Sequence, residues 1–218
     1  LGDVYKRQVP IGGKYRIIDF DLSNMSNSGI SNVGIVAKSN FQSLMDHVGS
    51  GSAYDLSKRR SNLSILPPYD GKAFSSFVET IYNMHGYIEH CREEYVLISQ
   101  GNVITNIDYT DVFDFHSKKK ADITLIYKNH AIPQGYDRPI TLDVDNDGKV
   151  NQIFVKPGVV DKGVFNHAYG SILIKKDLLM SEIRNAISVN QLDVRRLIQS
   201  SLGKYSIYAY ENKGYCAA

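Results

Sequence analysis

The chain has 218 residues, 43% of them apolar, and a formal net charge of +2, enough length for one sizeable α/β domain. This near-neutral balance gives no ground for nucleic-acid or membrane-surface binding, and no apolar run reaches the roughly 18 residues of a membrane helix. Cys91 and Cys216 lie far apart without CxxC spacing, so neither a zinc site nor a disulfide framework is suggested. No secretory signal is legible, and a cytoplasmic location is the expectation.

In chain order, the first organised stretch is Pro10-Ile11-Gly12-Gly13-Lys14-Tyr15-Arg16-Ile17-Ile18-Asp19-Phe20-Asp21-Leu22-Ser23-Asn24. Glycines let backbone N–H groups approach an anion, and the lysine adds a point charge. Two buried-looking isoleucines follow, and Leu22-Ser23-Asn24 reads as a helix start, with Gly29 as its C-cap signal. Asn32 to Lys38 reads as a buried strand, and Phe41, Leu44, Met45 and Val48 fall at helical spacing up to Gly49. A polar loop carrying Lys58-Arg59-Arg60 leads to a strand over Leu63 to Leu66, stopped by Pro67-Pro68. Phe74, Phe77, Val78, Ile81, Met84, His85 and Ile88 predict one amphipathic helix. Tyr95 to Ile98 reads as a strand ending in Ser99-Gln100-Gly101-Asn102, Tyr109 to Lys119 as a helix, and Asp122 to Tyr127 as a strand. This alternation predicts a parallel, doubly wound sheet, in which ligands bind beyond the C-terminal strand ends, where Gly101-Asn102 falls.

In the second half, Ile140 to Val144 and Val150 to Val155 flank the hairpin signal Asp145-Asn146-Asp147-Gly148. A strand over His167 to Lys175, helices over Asp177 to Ile187 and Asp193 to Leu202, and a strand over Tyr205 to Tyr210 complete the pattern. No repeat or linker is visible, so one α/β domain is expected.

Several constellations have plain readings. Asp143-x-Asp145-x-Asp147-Gly148 imitates the start of a calcium loop, but Phe154 stands where the bidentate Glu belongs, and a hairpin turn is the better reading. Lys58-Arg59-Arg60 and Lys118-Lys119-Lys120 read as a solvated loop and a solvated helix end. The six histidines show no ligand spacing, and no GxSxG elbow accompanies Ser75-Ser76 or Ser99.

As a string, residues 12–30 resemble the GGKYRIIDFxLSNxxNSGI signature of sugar-1-phosphate nucleotidyltransferases, and among them the glucose-1-phosphate adenylyltransferases. The resemblance runs from Val9 to the C-terminus and implies a Rossmann-like, GT-A-like α/β domain: a mostly parallel mixed sheet flanked by helices. Residues 1–8 fit no part of it and are expected to be a non-native leader. Residues 9–218 are expected to be an incomplete domain, lacking the family's upstream glycine-rich loop and its C-terminal β-helix domain. The resemblance implies an adenylyl transfer from ATP to glucose 1-phosphate, giving ADP-glucose for glycogen synthesis and pyrophosphate, with Mg²⁺ as cofactor.

The family's pattern implies Lys14, Arg16, Lys156 and Tyr169 as substrate-binding positions and Gly12, Gly13, Gly71 and Gly101 as nucleotide-binding ones. The chain departs from that pattern where the chemistry is demanding. The family's metal-binding Asp, in LxGDHxYxMDY, is matched by Asn102, which has a carbonyl oxygen but no charge, so Mg²⁺ should bind poorly. Asp108 stays and looks structural. The VEKP motif becomes Phe154-Val155-Lys156-Pro157, which keeps the lysine and loses the acid. The ASMG stretch becomes Ala168-Tyr169-Gly170-Ser171, with Tyr169 at the sugar-binding Ser position. The GTADA stretch is matched loosely by Gly71-Lys72-Ala73-Phe74-Ser75. Together these losses resemble a regulatory, catalytically impaired subunit acting on a catalytic partner in a hetero-oligomer, expected to be a tetramer. Two alternatives stay open: an active nucleotidyltransferase of altered substrate that recruits metal from Asp19 or Asp108, and a non-catalytic sensor of sugar phosphate or nucleotide anchored by Lys14 and Lys156.

Overall fold

The computed structural model describes residues 10–11, 13, 15–37, 41–57, 62–66, 76–101, 103–131, 139–155 and 163–217. In chain order its elements are β1 (Pro10–Ile11), β2 (Tyr15–Arg16), α1 (Ile17–Asn27), β3 (Asn32–Val36), α2 (Phe41–Val48), β4 (Asn62–Leu66), α3 (Phe77–Asn83), α4 (His85–His90), β5 (Tyr95–Ile98) and β6 (Ile104–Thr105). They continue with α5 (Tyr109–Lys119), β7 (Ile123–Ala131), β8 (Ile140–Val144), β9 (Val150–Val155), β10 (Val164–Lys175), α6 (Lys176–Ser188), α7 (Val194–Ser200), β11 (Ile207–Glu211) and β12 (Cys216–Ala217). The chain forms two compact units: the first takes the residues before Ser76 together with Gly101–Thr110, the second Ser76–Gln100 and Asp111–Cys216.

In the first unit β1 and β2 form a short antiparallel hairpin, with Ile11 opposite Tyr15. β3 and β4 pair in parallel, and Val33 and Ile35 point inward to join Leu22, Leu44, Val48 and Leu56 in one apolar cluster. Helix α1 starts at Ile17, five residues before the start expected at Leu22. The cause is Asp19, whose Oδ2 accepts the N–H of Arg16 at 2.8 Å and so closes the first turn around Ile17 and Ile18. The expected glycine ending is present: the Ile30 N–H donates to the Met25 carbonyl and the Gly29 N–H to the Ser26 carbonyl, with Gly29 at φ +75°. These two bonds make a Schellman motif, which glycine enters without strain.

The second unit holds a six-stranded sheet of order β11-β7-β10-β8-β9, with β5 also paired to β10. The sheet is mixed, as expected, and its hydrogen-bonded ladder is largely antiparallel. β10 runs antiparallel to β7 on one edge and to β8 and β5 on the other, and β8–β9 is an antiparallel hairpin. Among the described pairs of this sheet only β11–β7 is parallel. Four strands, β5, β7, β8 and β11, nevertheless share one direction, because each is related to the reversed β10 directly or through β7. Alternation of side chains reports which face a residue takes, not the direction of its neighbour.

Ile123, Thr124, Leu125 and Ile126 of β7 are all buried, so both faces of this strand are covered. On one face, α5 brings His116 Nδ1 to 2.8 Å from Thr124 Oγ1, with the ring edge-on to Tyr95. The helix expected over residues 74–88 is two helices, α3 and α4, separated at Met84. The Met84 N–H is shared between the Thr80 and Ile81 carbonyls, which tightens the turn, while Val78, Ile81, Met84 and Ile88 keep their buried spacing. Ser76 and Glu79 cap α3 reciprocally, at 3.1 and 2.7 Å.

The Asp145–Gly148 segment is the expected hairpin turn. Asp145 Oδ1 accepts the N–H groups of Asp147 (2.9 Å) and Lys149 (2.8 Å), and Gly148 takes φ +86°. The turn docks on β11: the Ala209 N–H donates to the Gly148 carbonyl at 2.8 Å, and Lys149 bridges Tyr208. Lys119 adds an ion pair to Asp147.

Candidate functional site

In the second unit, strand register gathers three of the sequence motifs around the middle of β10. Val155, the last residue of β9, lies opposite Ile140, and Ile140 lies opposite Ala168 of β10. On the same edge of β10, Ile98 of β5 faces Ile172. Beyond that pair, the Ser171 hydroxyl reaches the Ser99 hydroxyl at 3.4 Å. Between Ala168 and Ser171 the register of β10 on β7 shifts, and Gly170 takes φ +90°. A Cβ at this position would lie 2.5 Å from Cδ and 2.9 Å from Nε2 of Gln100. The bulge thus needs glycine twice, for its backbone conformation and for the side chain folded across it. β5 and β9 run in opposite directions and their carboxyl ends approach this bulge from its two sides, and bulges of this kind re-aim side chains beside a ligand site.

Tyr169, expected to touch substrate, is only 5% exposed, and its ring adds volume to the interior beneath the bulge. Farther along the same two strands, His130 Nε2 lies 3.3 Å from His167 Nδ1. Burial, and then the neighbouring His130, push the His167 imidazole down to about 4. Burial also lowers His130 and His116, so all three favour the neutral ring.

In the first unit, Gly13 sits exposed in the turn between β1 and β2 at φ +78°. Arg16, a second expected substrate residue, directs its guanidinium to the Ser43 carbonyl (3.1 Å) and hydroxyl (3.3 Å), tying the hairpin to the first turn of α2. Sequence reading did not find the cluster next to it. The buried Asp19 carboxylate, 6% exposed, accepts from the Arg16 N–H, lies 2.7 Å from His47 Nε2 and accepts the Tyr54 hydroxyl at 2.6 Å. Burial, followed by the bond to Asp19, holds the Tyr54 phenol well above its usual value, so it remains a donor. No spacing signal links these three residues, because His47 and Tyr54 follow Asp19 by 28 and 35 positions. Asp19 therefore has its oxygens engaged by protein donors.

The polar residues of the α1 signature brace the segment after β5. Asn24 Nδ2 donates to the Thr105 carbonyl at 2.8 Å, and the Ser28 hydroxyl accepts the Tyr109 N–H at 2.8 Å while donating to the Asn24 carbonyl at 2.7 Å. Asp108 accepts the Thr110 N–H at 2.8 Å, and this bond holds its carboxyl below the ordinary value. That is the structural role expected for Asp108. Gly101 leaves β5 at φ +61°. Gly12, Lys14, Gly71, Asn102 and Lys156 lie outside the described residues, as do Lys58-Arg59-Arg60 and Gly71-Lys72-Ala73-Phe74-Ser75.

Residues 2–201 match the Nucleotidyl transferase family. The glucose-1-phosphate adenylyltransferase of Clostridium acetobutylicum is 34% identical over 220 residues, covering 96% of this chain and 57% of that protein. That of Bacillus subtilis is 33% identical over 224 residues, with 96% and 57% coverage. The chain thus spans little more than half the length of these curated relatives. In fold it is similar to a Bacillus anthracis protein named for glucose-1-phosphate thymidylyltransferase and solved with sucrose: TM-score 0.74, 13% identity, 97% of this chain and 79% of that one covered. A match over nearly the whole chain, on a mixed sheet whose motif-bearing strands converge on the β10 bulge, places the chain in the Nucleotidyl transferase family.

Proposed function

We propose that this chain is the nucleotidyltransferase part of a glucose-1-phosphate adenylyltransferase subunit that is itself catalytically weak and tunes a catalytic partner subunit in a hetero-oligomer. The reaction served is attack of a glucose 1-phosphate oxygen on the α-phosphorus of ATP, with loss of pyrophosphate. The supporting observation is the donor set. At the ends of β5 and β9 and at the β10 bulge, the described side chains are Ser99, Gln100, Val155 and Ser171, all neutral. Residue 102 adds an amide where the resemblance calls for a carboxylate. A hard dication prefers charged oxygens, and among the described residues no group of three or more His, Cys, Asp or Glu could hold a metal. These residues do not fit Mg²⁺, and no step in this chain is routed through it.

What remains is suited to binding rather than to charge neutralisation in a transition state. Lys14 and Lys156, retained in the sequence, supply the cations for phosphate groups. The test is ADP-glucose formation by the full-length protein, alone and mixed with a catalytic subunit. Alone it should run at least about a hundredfold slower than the mixture, and the mixture should exceed the catalytic subunit by itself. A rate for the isolated protein equal to that of the mixture overturns the proposal.

A further inference from the structure

At the β10 bulge of the second unit one polar side chain packs across the glycine without a hydrogen bond among the described residues. Gln100 lies two residues past β5, whose pairing with β10 ends at Ile98–Ile172, and the Ser99 and Ser171 hydroxyls meet between that pair and Gly170. Its side chain folds over the glycine, with Cγ and Nε2 2.8 and 2.9 Å from where a Cβ on residue 170 would be. The carboxamide is half-buried and makes no hydrogen bond among the described residues. Every other side chain there is accounted for: Ser99 and Ser171 bond each other, Val155 is apolar, and Tyr169 is buried.

An amide carries two N–H donors and a two-lone-pair acceptor, and Gln100 is not among the buried groups without a partner, so its polar atoms are open to an incoming ligand. The φ of +90° at Gly170 keeps that space free of any Cβ, so the bulge makes room for the carboxamide at the carboxyl end of β5. A group that both donates and accepts, carries no charge and sits beside two hydroxyls matches a ring bearing adjacent hydroxyls, each also a donor and an acceptor. It does not match a phosphate, which only accepts.

We infer that Gln100, seated on Gly170, is the specificity-determining residue that reads the hydroxyls of a neutral sugar ring in this site. The inference rests on the proposed sugar-phosphate reading and names the residue that performs it.

The experiment is calorimetry on the full-length protein with two probes, glucose 1-phosphate and inorganic phosphate, for the wild type and Gln100→Leu, which keeps the shape and removes the polar atoms. Glucose 1-phosphate affinity should fall about tenfold in the variant, while inorganic phosphate affinity stays unchanged. Gln100→Ser, smaller and polar, should show the same loss and decides the matter if Gln100→Leu lowers the melting temperature. Equal affinity of wild type and variants for glucose 1-phosphate overturns the inference and leaves the proposed function standing. An equal loss for both probes also overturns it, because the residue would then act on the phosphate. No binding of glucose 1-phosphate by the wild type overturns the inference together with the sugar-phosphate reading.

Discussion

Two aspartates, one in each unit, accept backbone N–H groups and do so under opposite conditions. Asp145 is exposed and bonds its own neighbours, Asp147 and Lys149. Asp19 is buried and bonds one neighbour, Arg16, together with His47 and Tyr54 from other elements. The first shapes a turn, and its own carboxylate bonds fall within five residues. The second joins α1, α2 and the turn at Ser52–Tyr54 into one polar knot inside an apolar cluster. A carboxylate with local partners can be lost at small cost, whereas one with distant partners leaves several buried groups unmatched.

That contrast breaks most visibly at Asp19. Asp19→Ala should destabilise the protein by about 3–5 kcal/mol in urea unfolding, because the Tyr54 hydroxyl, His47 and the Arg16 N–H all lose their acceptor together. A loss under about 1 kcal/mol would mean that the knot does not hold the unit together.

The second unit has its own polar pair, the half-buried His130 and the buried His167, and pH tests it. The His167 imidazole is only 1% exposed, and in the folded state it titrates near 4, below its ordinary 6.5. The unfolded chain therefore binds the proton first. The stability tied to this residue is fully present above pH 6.5 and is lost as pH falls from there toward 4, about 3 kcal/mol in all. His167→Leu should flatten this part of the acid limb in a series of urea midpoints. An acid limb of unchanged shape would remove His167 as its cause.

Asp145→Ala should have the smallest effect, about 1 kcal/mol, since water can take over the two freed N–H groups of an exposed turn. A loss matching that of Asp19→Ala would erase the distinction between the two aspartates.

The same contrast explains what could be read from the chain. The Asp145–Gly148 turn, the α5 limits at Tyr109 and Lys119 and the Gly29 ending of α1 were legible because each is written in residues a few positions apart. The start of α1 lies before Leu22 because the Asp19 cap acts backward on Arg16, which no local spacing signal marks. The antiparallel seating of β10 was illegible because a buried β-branched strand carries no mark of its partners' direction. The motifs around residues 98–102, 154–157 and 168–171 are legible as strings, but the Gln100–Gly170 contact depends on β5 meeting β10 more than 70 residues later. Substrate binding by Arg16 is an expectation carried by the family resemblance, and nothing in the sequence indicates Ser43 as its partner.

The docking of the Gly148 turn on β11 carries one more consequence, for association between molecules. β9 and β11 terminate the five-strand path, and a bare outer strand offers a row of unmatched amides and carbonyls on which a second chain can template. Here the Ala209 amide and the Gly148 carbonyl satisfy each other, and Lys149 bridges Tyr208, so the two outer strands guard one another where they meet. Loosening that clasp, for example by lengthening the turn, would expose both strands at once and turn a self-contained sheet into a seed for aggregation.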